Sequence, residues 1–269
     1  MAGLRYRGGV WDFTTILLAV AGVLFIGLAK AGFGGALGML TTPLCIVAFG
    51  ARGKGPAFAL GVILPLLCAG DLFALYHYWG KWERRNLRVL LPGVVIGVTA
   101  GALLIGRFTP RQLNFCIGLI AIAFVLFQLA RKKFAVLGGR LNPTSTTGLP
   151  FGIAAGVTST FSHGAGPVVS IFLMAQHLPK EVFMGTQVLL FTWINWIKLP
   201  FFTATGIITR ETVIAGLWFL PIIPLGIWLG LWMNRKLSEA MFLKVAYGLL
   251  LLAGLYLVFD VHPAAWLRQ

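Results

Sequence analysis

The sequence predicts an all-α polytopic membrane protein: two inverted-topology repeats of about five helical segments each, with short broken or re-entrant helices meeting near the midplane. Three observations carry that prediction. Of 269 residues, 58% are hydrophobic and only 11% are charged, whereas a soluble domain carries about 25% charged residues to cover its surface. Apolar stretches recur along the whole chain, most of them near the roughly 20 residues that cross a bilayer. The 34 glycines and 13 prolines call for interrupted helices, which membranes tolerate where protein or a cavity covers the break.

The first stretch, Val10–Ala29, follows Arg5 and Arg7 as a signal peptide would. It runs on through Lys30 into glycines rather than into a polar mature region, so it is expected to stay as a first helix. Ala36–Phe49 is too short to cross, and Pro56–Trp79, Leu87–Gly106 and Leu113–Ala130 are spans. The polar stretch from Arg131 to Thr147 lies near the middle. It divides the chain into an N-terminal repeat (1–130), a basic cytoplasmic linker (131–147) and a C-terminal repeat (148–269). Thr147–Thr158 and Pro167–His177 are short again, and Val182–Thr205, Val213–Met233 and Met241–Phe259 are spans. Each short stretch adjoins a cluster of small residues, the pattern of a broken helix.

The halves match at one offset of 129: Gly27 with Gly156, Gly35 with Gly164, Gly97 with Gly226, Gly101 with Gly230, Arg107 with Lys236 and Thr109 with Ser238. An odd number of crossings per half inverts the second repeat. Lys81, Arg84, Arg85 and Arg88 crowd one loop, and Arg131, Lys132, Lys133 and Arg140 crowd the linker. Two spans separate these loops, so both are expected on the cytoplasmic side; five crossings per half puts the termini outside, and counting each broken helix as a re-entrant hairpin puts them inside. The net charge of +15 is thus spent on orientation, and no basic, aromatic-interleaved soluble stretch remains for nucleic acid. Cys45, Cys68 and Cys116 lie in apolar runs without CxxC spacing, so neither a disulfide framework nor a metal site is expected; no cofactor is called for.

Chemistry concentrates in three places. Around the stretch Lys30 to Gly38, with Phe33, Gly34 and Gly35, glycines let backbone approach a ligand. The short helix that follows offers free N–H groups and a positive dipole end to an anion. Tight helix packing also uses such glycines. The counterpart runs from Ser159 through Thr160, Phe161, Ser162, His163 and Gly164 to Gly166, with Pro167 suited to a first helical turn. His163 could donate to an anion or carry a proton. Inside the spans, Asp71 and Lys198 are costly charges that point to function; Gln187, Asn195 and Lys198 share one helix face. Asp71 and Lys198 sit in equivalent helices, so an ion pair between them is expected.

Glycines in GFGG, a central basic linker, Gly156-Val157-Thr158-Ser159 to Gly166-Pro167, Leu178-Pro179-Lys180-Glu181-Val182-Phe183-Met184-Gly185-Thr186 and Asn195-Trp196-Ile197-Lys198 together resemble the TauE/SafE-type sulfite exporter family. The resemblance implies a bacterial inner-membrane transporter for a small sulfur-containing anion of the sulfite or sulfonate class. Relatives more often show a GFFG-like stretch at Phe161–Gly164 and an Asn at Asp71, so both departures bear on substrate and coupling ion. On this reading two helix ends, Lys30, Lys198 and the hydroxyls of Ser159, Thr160 and Ser162 surround the anion. Phe33 and Phe161 close the site, and a proton on His163 or Asp71 drives it. The partners are the anion and the lipid bilayer. An anion channel with the same site, and a membrane enzyme using Ser162 and His163, are the alternatives; a non-enzyme is expected.

Overall fold

The computed structural model describes residues 5–6, 9–10, 13–30, 35–50, 53–137, 142–236 and 239–259. A small antiparallel hairpin, β1 (Arg5–Tyr6) with β2 (Gly9–Val10), precedes the helices and is the one departure from an all-helical chain among the described residues. The first half then contains α1 (Phe13–Leu28), α2 (Gly35–Gly50), α3 (Pro56–His77), α4 (Arg84–Ile105) and α5 (Pro110–Leu137). The second contains α6 (Ser145–Ser162), α7 (Gly166–Met174), α8 (Lys180–Ala204), α9 (Arg210–Phe219), α10 (Ile222–Lys236) and α11 (Glu239–Phe259). Helices α3, α4, α5 and α8 are each long and apolar enough to cross a membrane, and α9 with α10, bent by 41° at their break, is long and apolar enough only as a pair, a broken span or a re-entrant loop. This is a multi-pass membrane protein.

Local sequence explains the ends. Pro56 opens α3 at a position whose N–H has no helical acceptor anyway. Thr144 and Thr209 begin α6 and α9 with reciprocal capping boxes to Thr147 and Thr212. Helix α5 continues to Leu137, inside the segment assigned to the linker. The stretch Val213–Met233, expected as one span, is broken at Leu220-Pro221. A proline there has no N–H to give, and the chain crosses the break with shorter-range bonds, Leu220 N–H to the Leu217 carbonyl (3.3 Å) and Ile223 N–H to the Leu220 carbonyl (3.2 Å).

Glycines set the closest crossings. A Cβ on Gly27 of α1 would lie 2.5 Å from the Ile223 carbonyl oxygen and 2.7 Å from the Gly226 carbonyl carbon of α10. A Cβ on Gly156 of α6 would lie 2.6 Å from the Val94 oxygen and 2.9 Å from the Gly97 carbonyl carbon of α4. No other side chain permits such backbone contact, so helices join across the halves without bulky interdigitation. These are the two glycine pairs that one sequence offset relates. Helices α3 and α8 run antiparallel through the middle. Gly61, near the start of α3, takes the Ile207 carbonyl from beyond the end of α8; Gly185, near the start of α8, takes the Lys81 carbonyl from beyond the end of α3. The Glu83 N–H beside it donates to Thr186 Oγ1 (2.8 Å), which explains why a glycine and a threonine follow each other there.

Candidate functional site

The break between α6 and α7 is a helix stop built on a histidine. His163 adopts the left-handed conformation (φ 54°, ψ 21°), where histidine is among the few non-glycine residues found with some frequency. The Gly164 N–H reaches back past the left-handed residue to the Thr158 carbonyl (3.4 Å), so the end of α6 takes up a carbonyl that the helix leaves free. Four residues apart, Ser159 and His163 project on the same side, and both meet Lys198 from α8. Its ammonium lies 2.8 Å from His163 Nδ1, 3.0 Å from Ser159 Oγ and 3.3 Å from the Ser159 carbonyl oxygen. It also sits 5.9 Å from the Phe202 ring centroid.

The other ring nitrogen fixes the protons. His163 Nε2 is 3.3 Å from the Leu60 carbonyl of α3, which can only accept, so Nε2 carries a hydrogen. The ring is then neutral with Nδ1 accepting from Lys198, or charged with Lys198 neutral; two facing charges so close and so buried are excluded by repulsion. The pair therefore holds at most one positive charge between two residues. Both ring nitrogens are engaged, which corrects the expectation that His163 donates directly to an anion.

A second polar cluster lies alongside. Lys30, in a wide turn at the end of α1, forms an ion pair with Asp71 of α3, and Asn195 Nδ2 donates to Asp71 Oδ2 (2.6 Å). The expected Asp71–Lys198 pair is thus replaced. The carboxylate takes the cation at the break of its own half and the amide of α8, while Lys198 takes the histidine and serine at the opposite break. Three elements separated widely in sequence, α1, α3 and α8, meet at one buried carboxylate.

Between the clusters lies a cavity of about 70 Å³, lined by Lys30, Gly38, Ser159, His163, Gly166, Gln187 and Asn195, with Ile26, Leu67, Met184, Val188, Phe191 and Ile194 as its main apolar wall. Ser159 Oγ accepts from Lys198 and keeps its own hydrogen for a ligand. Gly166 begins α7, whose first N–H groups have no intrahelical acceptor. Lys198 stands one layer behind, bonded to Ser159 and His163.

The remaining predicted residues go elsewhere. Thr160 Oγ1 donates to the Gly156 carbonyl (2.8 Å), Ser162 Oγ donates to the Thr158 carbonyl (2.9 Å), and Gly164 packs under Met39; none of the three lines the cavity. Phe161 stacks on Phe108, with centroids 5.3 Å apart, on the far side of α6. Phe33 and Gly34 lie outside the described residues, as do the side-chain surroundings of Gly35. Met184 and Phe191 were missed, although they continue the helical stripe of Gln187, Asn195 and Lys198 at steps of three and four. The Leu60 carbonyl carries no sequence signal at all.

The sequence model of the family described as sulfite exporter TauE/SafE matches residues 18–257, nearly the whole chain. The chain belongs to the sulfite exporter TauE/SafE family. No curated protein and no solved structure matches it. As a TauE/SafE member it is a membrane protein of an anion-exporter family.

Proposed function

We propose that this protein is a secondary transporter that moves a small sulfur-containing anion of the sulfite or sulfonate class across the bacterial inner membrane. The observation that carries the reading is the cavity where Ser159, the α7 N-terminus and Lys30 converge, with the Lys198–His163 pair immediately behind. A desolvated anion needs fixed donors and positive charge, and a helix N-terminus supplies both without side-chain reorganisation. Discontinuous helices beside such a site are the common plan of secondary transporters.

Two inverted halves fit the contacts. Helix α1 crosses α10 at Gly27 and Gly226 as α6 crosses α4 at Gly156 and Gly97, and α3 and α8 exchange carbonyl contacts at equivalent ends. On this reading the halves rock about the α3–α8 axis, exposing the cavity first to one side and then to the other. Proton coupling belongs to the same reading. A proton on Asp71 releases Lys30 from its ion pair, and a proton taken up by the Lys198–His163 pair gives that pair its one positive charge. Either adds one positive charge beside the cavity.

The test is flux. Purified protein in liposomes loaded with labelled sulfite should release it faster when unlabelled sulfite or a short alkylsulfonate is present outside. It should accumulate the anion against its gradient when a proton gradient is imposed. Release that never exceeds empty liposomes would end the proposal, and movement only down the anion's own gradient would convert it to a channel.

A further inference from the structure

A second cavity, of about 270 Å³, lies at the end of the bundle where α2 finishes and α3 begins. Lys54 and Pro56 bound it on one side, Pro110 and Asn114 at the start of α5 on another, and Tyr256 and Leu257 near the end of α11 on a third. It shares no lining residue with the central cavity. Along α3, Pro56 lines the one and Leu67 the other, about 16 Å apart at a rise of about 1.5 Å per residue. Helices α3 and α5 are spans, and the cavity gathers their first turns. It therefore stands at one membrane face, across the bilayer from the basic loop at the other end of α3.

Its polar groups are of two opposite kinds. Lys54 Nζ donates to Glu211 Oε1 (2.8 Å) and sits 5.2 Å from the Phe58 ring centroid. An ammonium has three hydrogens, so Lys54 keeps donors for an oxyanion. Beside it α3 begins at Pro56 and presents the positive end of its dipole. Asn114 Oδ1 is the reverse, a buried acceptor with no hydrogen-bond partner. Buried polar atoms in folded proteins are nearly always bonded, so an orphaned oxygen on a residue that lines a cavity marks where a ligand's donor belongs.

Size and setting narrow the ligand. A cavity of roughly 150 Å³ takes up the six carbons of benzene, so about 270 Å³ holds a group of roughly ten heavy atoms. Apolar side chains face outward on the same two helices: Phe115 and Leu119 of α5, Leu252 and Phe259 of α11. We propose that this cavity is a headgroup site for a phospholipid whose phosphodiester carries a primary amine, of the ethanolamine kind. The phosphate meets Lys54 and the start of α3, the ammonium donates to Asn114 Oδ1, and the acyl chains lie along α5 and α11. A choline headgroup has no N–H and leaves Asn114 Oδ1 unpaired, which costs the desolvation of that oxygen. A glycerol headgroup offers only neutral hydroxyls, weaker donors than an ammonium. The site is separate from the central cavity, so the proposal stands whether or not the transport reading holds.

The experiment is native mass spectrometry of the purified full chain in detergent, with phosphatidylethanolamine and phosphatidylcholine of the same acyl chains supplied in equal amounts. The wild type should retain the ethanolamine lipid at least about tenfold over the choline lipid, the effect of one hydrogen bond from a charged donor. Asn114→Asp keeps an acceptor and should keep the preference. Asn114→Leu should abolish it, and Lys54→Met, without the phosphate donor, should retain less of both lipids. A wild type that holds the two lipids equally, or neither, overturns the proposal whether or not any variant folds. A folded Asn114→Leu protein that keeps the preference overturns it too. Titration with soluble glycerophosphoethanolamine separates the lipid from its free headgroup. Weaker binding than that of the lipid supports the assignment, and binding as tight overturns it in favour of a site for a free zwitterion.

Discussion

The Lys198 ammonium stands 2.8 Å from Nδ1 of His163, while the Leu60 carbonyl takes the hydrogen on the ring's other nitrogen. One proton is therefore held between two buried bases contributed by α8 and by the break between α6 and α7. The backbone depends on the same residue, because His163 is the left-handed stop of α6.

That double role gives the first prediction. Asparagine tolerates the left-handed conformation, and a β-branched residue does not. His163→Asn should keep the fold and lose anion affinity, whereas His163→Val should lower stability by a further roughly 1–2 kcal/mol. Thermal melting of the two purified variants beside anion titration separates the backbone role from the proton role.

Breaking the other pair should cost stability. Asp71→Ala strands the Lys30 ammonium and removes the acceptor of the Asn195 amide, and uncompensating a buried charge costs about 3–5 kcal/mol. Asp71→Asn retains the Asn195 partner and should lose less. Yield of folded protein and melting temperature check the order, with Asp71→Ala lowest.

The glycine crossings predict a paired result. A Cβ at Gly27 or at Gly156 meets backbone atoms within 2.5 to 2.9 Å, and relief by helix displacement costs about 1–3 kcal/mol. Gly27→Ala and Gly156→Ala should be destabilising to a similar degree. Gly248 of α11 has open space around it, so Gly248→Ala should be neutral or stabilising by up to about 1 kcal/mol through helix propensity. Melting curves of the three variants make the comparison.

The contact of the α3–α4 loop with α8 offers a fourth. Thr186→Val removes the acceptor of the Glu83 N–H, a bond worth about 1 kcal/mol. The Lys81–Glu83 loop should then label faster at a cysteine placed at Lys81, and unchanged labelling would show that Gly185 alone holds it.

These residues also mark how far the sequence could be read. The spans, the broken helices and the close-packed glycines were legible, because hydropathy and small-residue spacing are local properties. The partner of Asp71 was not. Asp71 and Lys198 lie on neighbouring helices, but which cation meets the carboxylate depends on where α1 ends, 41 residues earlier. The polar cluster of α6 was taken whole, yet a helix turns about 100° per residue. Ser159 and His163 therefore face the cavity side while Thr160, Phe161 and Ser162 turn to carbonyls and to Phe108. That period separates Thr160 and Phe161 from Ser159, whereas Ser162, about 60° from Ser159, is turned away by its own bond to the Thr158 carbonyl. The break at Pro221 was hidden within an apolar run whose average gave no sign of it.

The central claim is that the charge on Lys198 holds a transported anion. Its most direct test is exchange of labelled sulfite across liposomes containing wild-type protein or Lys198→Met, a substitution of similar length that removes a buried charge, a change buried sites often accept. The account predicts saturable exchange by the wild type and a loss of at least about tenfold in the variant, with its melting transition intact. Equal exchange by both proteins would contradict it.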